Sequence, residues 1–164
     1  MNTNDEIVQT IEAFQREIEP SIVAARNEII TADNFLEYRG NDTINAVTQD
    51  EHTLCTMLSR LYFGSTWDTD SIRSTVDAHL LPLGFTVRED RWTRDGYDFV
   101  DFLWMNADYR AAVFTTTILD IRTAFHYTVT EVPSDGSLGD PTQLMDLPGR
   151  TPDWFNPSTT LMSK

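Results

Sequence analysis

Lysine is almost missing from this chain of 164 residues: of 12 basic side chains 11 are arginine, and Lys164 is the one lysine, against 26 acids and a net charge of −14. Nucleic-acid binding is thereby excluded as an expectation, because phosphate neutralisation needs clustered Lys and Arg and this net field repels polyanions. The single cysteine, Cys55, rules out an internal disulfide, so packing alone must stabilise the domain. No run approaches the length of about 18 apolar residues that crosses a bilayer. The N-terminus, MNTNDEIVQT, has neither the basic nor the apolar region of a signal peptide. The expectation is a cytosolic chain, or an exported domain whose leader is no part of this sequence. Gly-x-Ser-x-Gly, a glycine-rich phosphate loop and His-Glu-x-x-His are all absent, and with them the local signatures of the commonest hydrolases and nucleotide enzymes.

Nine Phe, four Trp and five Tyr give the chain the apolar surface that disordered chains lack. Ile7, Ile11, Phe14, Ile18, Ile22, Ala25 and Ile29 keep one stripe on a helix of about 25 residues that Pro20 should kink or divide. Acids lie off that stripe, and residues 1–51 hold 11 acids and 3 bases, a net of −8. Glu12, Glu17, Glu19 and Glu28 are therefore the candidate contacts for a basic partner, set against a merely solvated outer face.

Asn34–Arg39 reads as a short strand ending in a Gly40-Asn41-Asp42 turn, and Thr53–Gly64 fits helix and strand equally. Asp68 or Thr69 caps the next helix, which Ile72, Val76 and Leu80 continue and Pro82 and Gly84 end. Four β-favouring runs follow, joined by short loops: Phe85–Glu89, Tyr97–Met105, Tyr109–Ile118 and Ile121–Thr130. They imply an antiparallel meander of three or four strands with helices on one face, so the fold class is α+β. Tyr97, Phe99, Phe114, Phe125 and Tyr127 are core if the long helix covers them and a binding face if part of the sheet stays open.

Five of seven prolines and three of seven glycines lie in residues 133–164, where no period survives. The domain is accordingly set at 1–132, with a loosely held tail at 133–164. Trp154 and Phe155 are its anchor, either on the domain itself or on a partner. Metal and cofactor sites are not expected. His52 and Cys55 form an isolated His-x-x-Cys, Asp68-Thr69-Asp70-Ser71 is explained as a helix cap, and Asp98 and Asp101 point to opposite faces of their strand. No catalytic residue is assigned.

The order of elements, NFLEYR, EHTLC, STWDTDSIRSTVDAHLLPLGF, RDGYDFVDFLWMN and YRAAVFTTTILDIRTAFHYTVTEV, resembles the globular domain of small actinobacterial LppA-like lipoproteins over residues 5–133. That resemblance implies an exported, lipid-anchored domain without assigned activity. Its lipobox cysteine does not occur here, nor does a second cysteine near Thr128–Glu131 that would pair with Cys55. The expected function is that of a non-enzymatic cell-envelope or secreted binding domain. The rival is an intracellular acidic immunity protein or secretion chaperone that neutralises a basic protein.

Overall fold

The computed structural model describes residues 8–65, 68–146 and 149–156. Ile7 of the apolar stripe, Trp67 at the opening of the capped helix and the lone Lys164 lie outside them. The stripe forms two helices instead of one, α1 (Ile11–Glu17) and α2 (Glu19–Ile29). Thr10 caps α1 by accepting from the Ala13 amide at 3.1 Å. The chain breaks at Ile18, and Pro20 stands in the first turn of α2, where its missing N–H costs nothing. Ile11, Phe14, Ile18, Ile22, Ala25 and Ile29 are all buried.

Four strands follow: β1 (Phe35–Arg39), β2 (Thr43–Gln49), β3 (His52–Leu58) and β4 (Leu61–Ser65). Helix α3 (Thr69–Leu80) comes next, capped by the Asp68 carboxylate on the Ser71 amide at 3.1 Å. The meander then runs through β5 (Thr86–Arg94), β6 (Tyr97–Asn106), β7 (Ala111–Ile118) and β8 (Arg122–Pro133). Asp95 and Gly96 join β5 to β6 with φ of 54° and 83°, the left-handed pair a two-residue hairpin needs.

All eight described strands belong to one antiparallel sheet, twice the expected meander. Thr53–Gly64, left open by periodicity, is strand. β3 and β4 lie end to end along β8, and β2 and β1 lie end to end along β3 and β4. Ser59 and Arg60 interrupt that long pair, and the break is stitched on both sides. Ser59 exchanges hydrogen bonds with the Tyr127 backbone, and Asp42 accepts from the Arg60 amide at 2.8 Å.

The helices cover one sheet face. Trp104 of β6 is fully buried, and its indole N–H reaches Asp77 of α3 at 2.8 Å. His79 of α3 meets Glu28 of α2 at 2.5 Å. Val100, Phe102, Val113, Phe125, Tyr127 and Val129 supply the sheet side of the core.

Packing continues past residue 132, the limit set from composition. Ser134 and the Asp135 amide both donate to Glu12, at 2.6 and 3.0 Å. A 3-10 turn, Pro141–Asp146, lies along β2. Arg150 enters the core and pairs with Glu19 through Nε at 2.7 Å. Trp154 and Phe155 then dock on the domain, with Phe155 edge-on to Phe35, Tyr38 and Tyr62 at centroid distances of 5.7, 5.0 and 5.4 Å. The pair thus anchors on its own domain, but it shares that role with Arg150 and Ser134, which composition did not single out.

Glu19 and Arg150 are 0% and 1% exposed. Removing one partner of such a pair strands a buried charge, so Arg150→Ala is expected to cost about 3–5 kcal/mol in urea unfolding. Truncation after Val132 removes Ser134 and Asp135 from Glu12 and Arg150 from Glu19, and its far-ultraviolet circular dichroism should show an unfolded chain. A truncated chain that keeps the native spectrum and melting temperature would place the tail outside the cooperative unit.

Candidate functional site

Alternation along the strands sends every second side chain to the face away from the helices, and no described element covers that face. Register assembles those side chains into rows across the sheet. One row is Trp92, Phe99, Ile118 and Arg122; the next is Asp90, Asp101, Thr116 and Ala124; a third is Arg88, Leu103, Phe114 and His126. The middle row is short, and polar up to Ala124, between two rows of large side chains, which makes it the floor of a trough. Phe63 of β4 pairs with Ala124 and closes its far end, with the Arg122 guanidinium over its ring at 4.3 Å. From β5 to β8 the trough is about 14 Å long, three strand spacings. Between β5 and β7 it holds a cavity of about 380 Å³.

The walls are stacked rings. Trp92 stacks on Phe99 with centroids 3.9 Å apart and planes 9° apart, and its indole N–H donates to Asp101 Oδ2 at 2.8 Å. Phe114 stacks on His126 at 4.6 Å. Burial lowers the His126 pKa below the ordinary histidine value, so the imidazole facing Phe114 is neutral at neutral pH. Asp101 Oδ1 is buried and has no hydrogen-bond partner among the described residues. Asp90 stands directly opposite it on β5. Two carboxylates facing each other across a strand pair repel, and the orphaned oxygen adds a desolvation cost.

The aromatic residues singled out from sequence divide between the two faces. Phe125 and Tyr127 are core; Phe99 and Phe114 line the trough; Tyr97 is half exposed beyond its end. The acidic candidates on the helices do not form a common surface. Glu12 and Glu19 are fully buried, because the segment after Pro133 covers the side of the helices that the sequence pattern leaves open to solvent. Glu17 accepts from the Tyr109 hydroxyl at 2.7 Å, which with Arg16 lowers its pKa, and Glu28 is engaged by His79. Arg88, Asp90 and Trp92 were missed, although their spacing of two in VREDRWT places them on one face of a strand.

Cys55 is buried on β3, whereas His52 is exposed, so the His-x-x-Cys pair does not converge. Among the described residues no group of three His, Cys, Asp or Glu could hold a metal ion. Burial, with Glu12 and Asp140 adding to it, pushes the Cys55 thiol up.

Two outcomes follow from these environments. Asp90→Asn removes the facing charge and should raise stability by a few tenths to about 1 kcal/mol in chemical denaturation, whereas a loss would show the pair is held by something else. Cys55 should resist iodoacetamide in the folded protein and react at once in urea, with Cys55→Ala costing about 1–2 kcal/mol.

No curated protein matches the chain. The fold superposes on the crystal structure of a DUF4853 family protein from Actinomyces odontolyticus ATCC 17982 with a TM-score of 0.58, covering 89% of this chain and 78% of that one. The two share 11% sequence identity, so the likeness is one of fold. The family described as Domain of unknown function (DUF4853) matches residues 7–140, far more than half of the sequence, and the chain belongs to that family.

Proposed function

We propose that this protein is a non-enzymatic binding domain of the cell envelope or of a secreted protein, of the lipoprotein type, and that it binds through the outer face of its sheet. One observation carries the reading: the trough over β5–β8 brings aromatic walls, unmet hydrogen-bonding capacity and two opposed carboxylates together on a face with no described cover. Exposed apolar surface rimmed by polar groups marks interaction sites. The envelope location rests on the order of elements that resembles the LppA-like lipoproteins. No helix among the described residues is long and apolar enough to cross a membrane. The rival reading, an intracellular acidic inhibitor or chaperone, drew on four glutamates of the helices, and burial removes Glu12 and Glu19 from any contact surface.

Amide hydrogen exchange tests the binding face. With a soluble envelope extract of the source cells added, exchange in β5–β7 should slow relative to buffer, while α1–α3 should be unchanged. Protection confined to the helices, or none anywhere, would overturn the reading. Immunoblotting of fractionated source cells should find the protein with the envelope or in the medium, and a purely cytosolic pool would overturn the location.

A further inference from the structure

On the reading that the trough is the binding face, we infer that its occupant is an extended polypeptide segment that places a lysine ammonium or arginine guanidinium between Asp90 and Asp101 and lays apolar side chains along the aromatic walls. The chemistry of the floor selects the charge. Asp90 and Asp101 face each other across β5 and β6, and among the described residues neither has an ion-pair partner. Asp101 Oδ2 is taken by the Trp92 indole, while Oδ1 is buried without a donor. A cation with several N–H groups relieves both defects at once, since it screens the repulsion and donates to the orphaned oxygen.

Among the described residues, Arg88 is the one cationic side chain close to this pair on the same face, in the adjoining row opposite Leu103. It lines the same cavity but forms no ion pair with either aspartate there. At the other end of the trough Arg122 is already neutralised by Glu37 at 3.0 Å. The attractive charge is therefore concentrated at the β5–β6 end, and a cationic side chain entering there is bordered by Trp92 and Phe99 on one side and Leu103 and Phe114 on the other. The net charge of −14 would steer any basic segment towards the protein, but the trough alone would hold it in register.

A dye-labelled nonapeptide of alternating arginine and leucine, titrated into the full chain and followed by fluorescence anisotropy at about 0.15 M salt, tests the assignment. Asp90→Asn with Asp101→Asn should weaken binding about tenfold while the melting temperature holds or rises. Asp33→Asn with Asp153→Asn, which removes the same charge from exposed positions away from the trough, should weaken it less than twofold. Equal losses in the two double variants would show attraction to the overall charge and overturn the inference. A neutral β-1,4-linked N-acetylglucosamine tetramer serves as the second probe. If it quenches Trp92 fluorescence, judged against Trp92→Phe, while the peptide shows no site-dependent binding, the cationic occupant is wrong and the binding face stands. Peptide failure together with unchanged exchange in β5–β7 under envelope extract removes the binding face as well.

Discussion

The buried ion pair of Glu19 and Arg150 holds together three parts of the chain that are far apart in sequence. Glu19 opens α2, Arg150 arrives from the segment beyond the sheet, and the Tyr127 hydroxyl donates to the same carboxylate from β8. Arg26 adds a fourth contact by donating to the Arg150 carbonyl at 2.6 Å. Burial disfavours the Arg150 charge, but the hydrogen bonds and attraction of Glu19 outweigh it and hold its pKa above the ordinary arginine value. Burial and the same carboxylate push Tyr127 well above the usual tyrosine value, so it remains a donor. A pair like this adds little net stability compared with an apolar substitute, yet breaking it is severe. It ties the start of α2, β8 and the C-terminal segment to one buried carboxylate.

That constraint decides which surfaces are available. With Ser134, Asp135 and Arg150 set against them, α1 and α2 are enclosed by the sheet on one side and by the C-terminal segment on another, which is how Glu12 and Glu19 come to be interior. Aromatic docking of Phe155 on Tyr38 and Tyr62 closes the β1–β4 end, with Arg60 over its ring at 4.9 Å. The helical side is thus the finished side of the molecule. The unfinished side is the opposite sheet face, where the chain supplies no cover among the described residues.

Much of this fold is legible in the sequence, and the parts that are not have physical causes. The stripe from Ile11 to Ile29 follows from local period, and the β5–β6 pairing follows from the Asp95-Gly96 turn, which fixes Arg94 opposite Tyr97 and so Asp90 opposite Asp101. Counting back along both strands from that turn is enough to set the two carboxylates face to face. Thr53–Gly64 resists because the interruption at Ser59 and Arg60 shifts the phase: Cys55 and Met57 point inward before it, Tyr62 after it, and the sum mimics helical spacing. Glu12, Glu19 and Arg150 are out of reach for a different reason. A helix pattern shows which face must be buried, never which further face a distant segment will cover, and an arginine amid prolines carries no local mark of burial.

Charged residues on β5 have an ordinary explanation that competes with a binding role. β5 is an edge strand, and Arg88, Glu89, Asp90, Arg91 and Arg94 are what an edge needs to discourage pairing with another chain. Edge protection accounts for every charge on β5 and stops there. Asp101 lies on β6, an interior strand hydrogen-bonded on both sides, where such protection has no purpose. A threonine at 101 would continue the row towards Thr116 without repelling Asp90, and strands favour it. A fold that keeps a half-buried carboxylate there, with a tryptophan indole fixed to one of its oxygens and the other left unmet, bears a cost that packing and edge protection do not explain. A bound donor would offset that cost, and with the inferred cationic occupant Asp101, more than Asp90, is the acid that binding would satisfy.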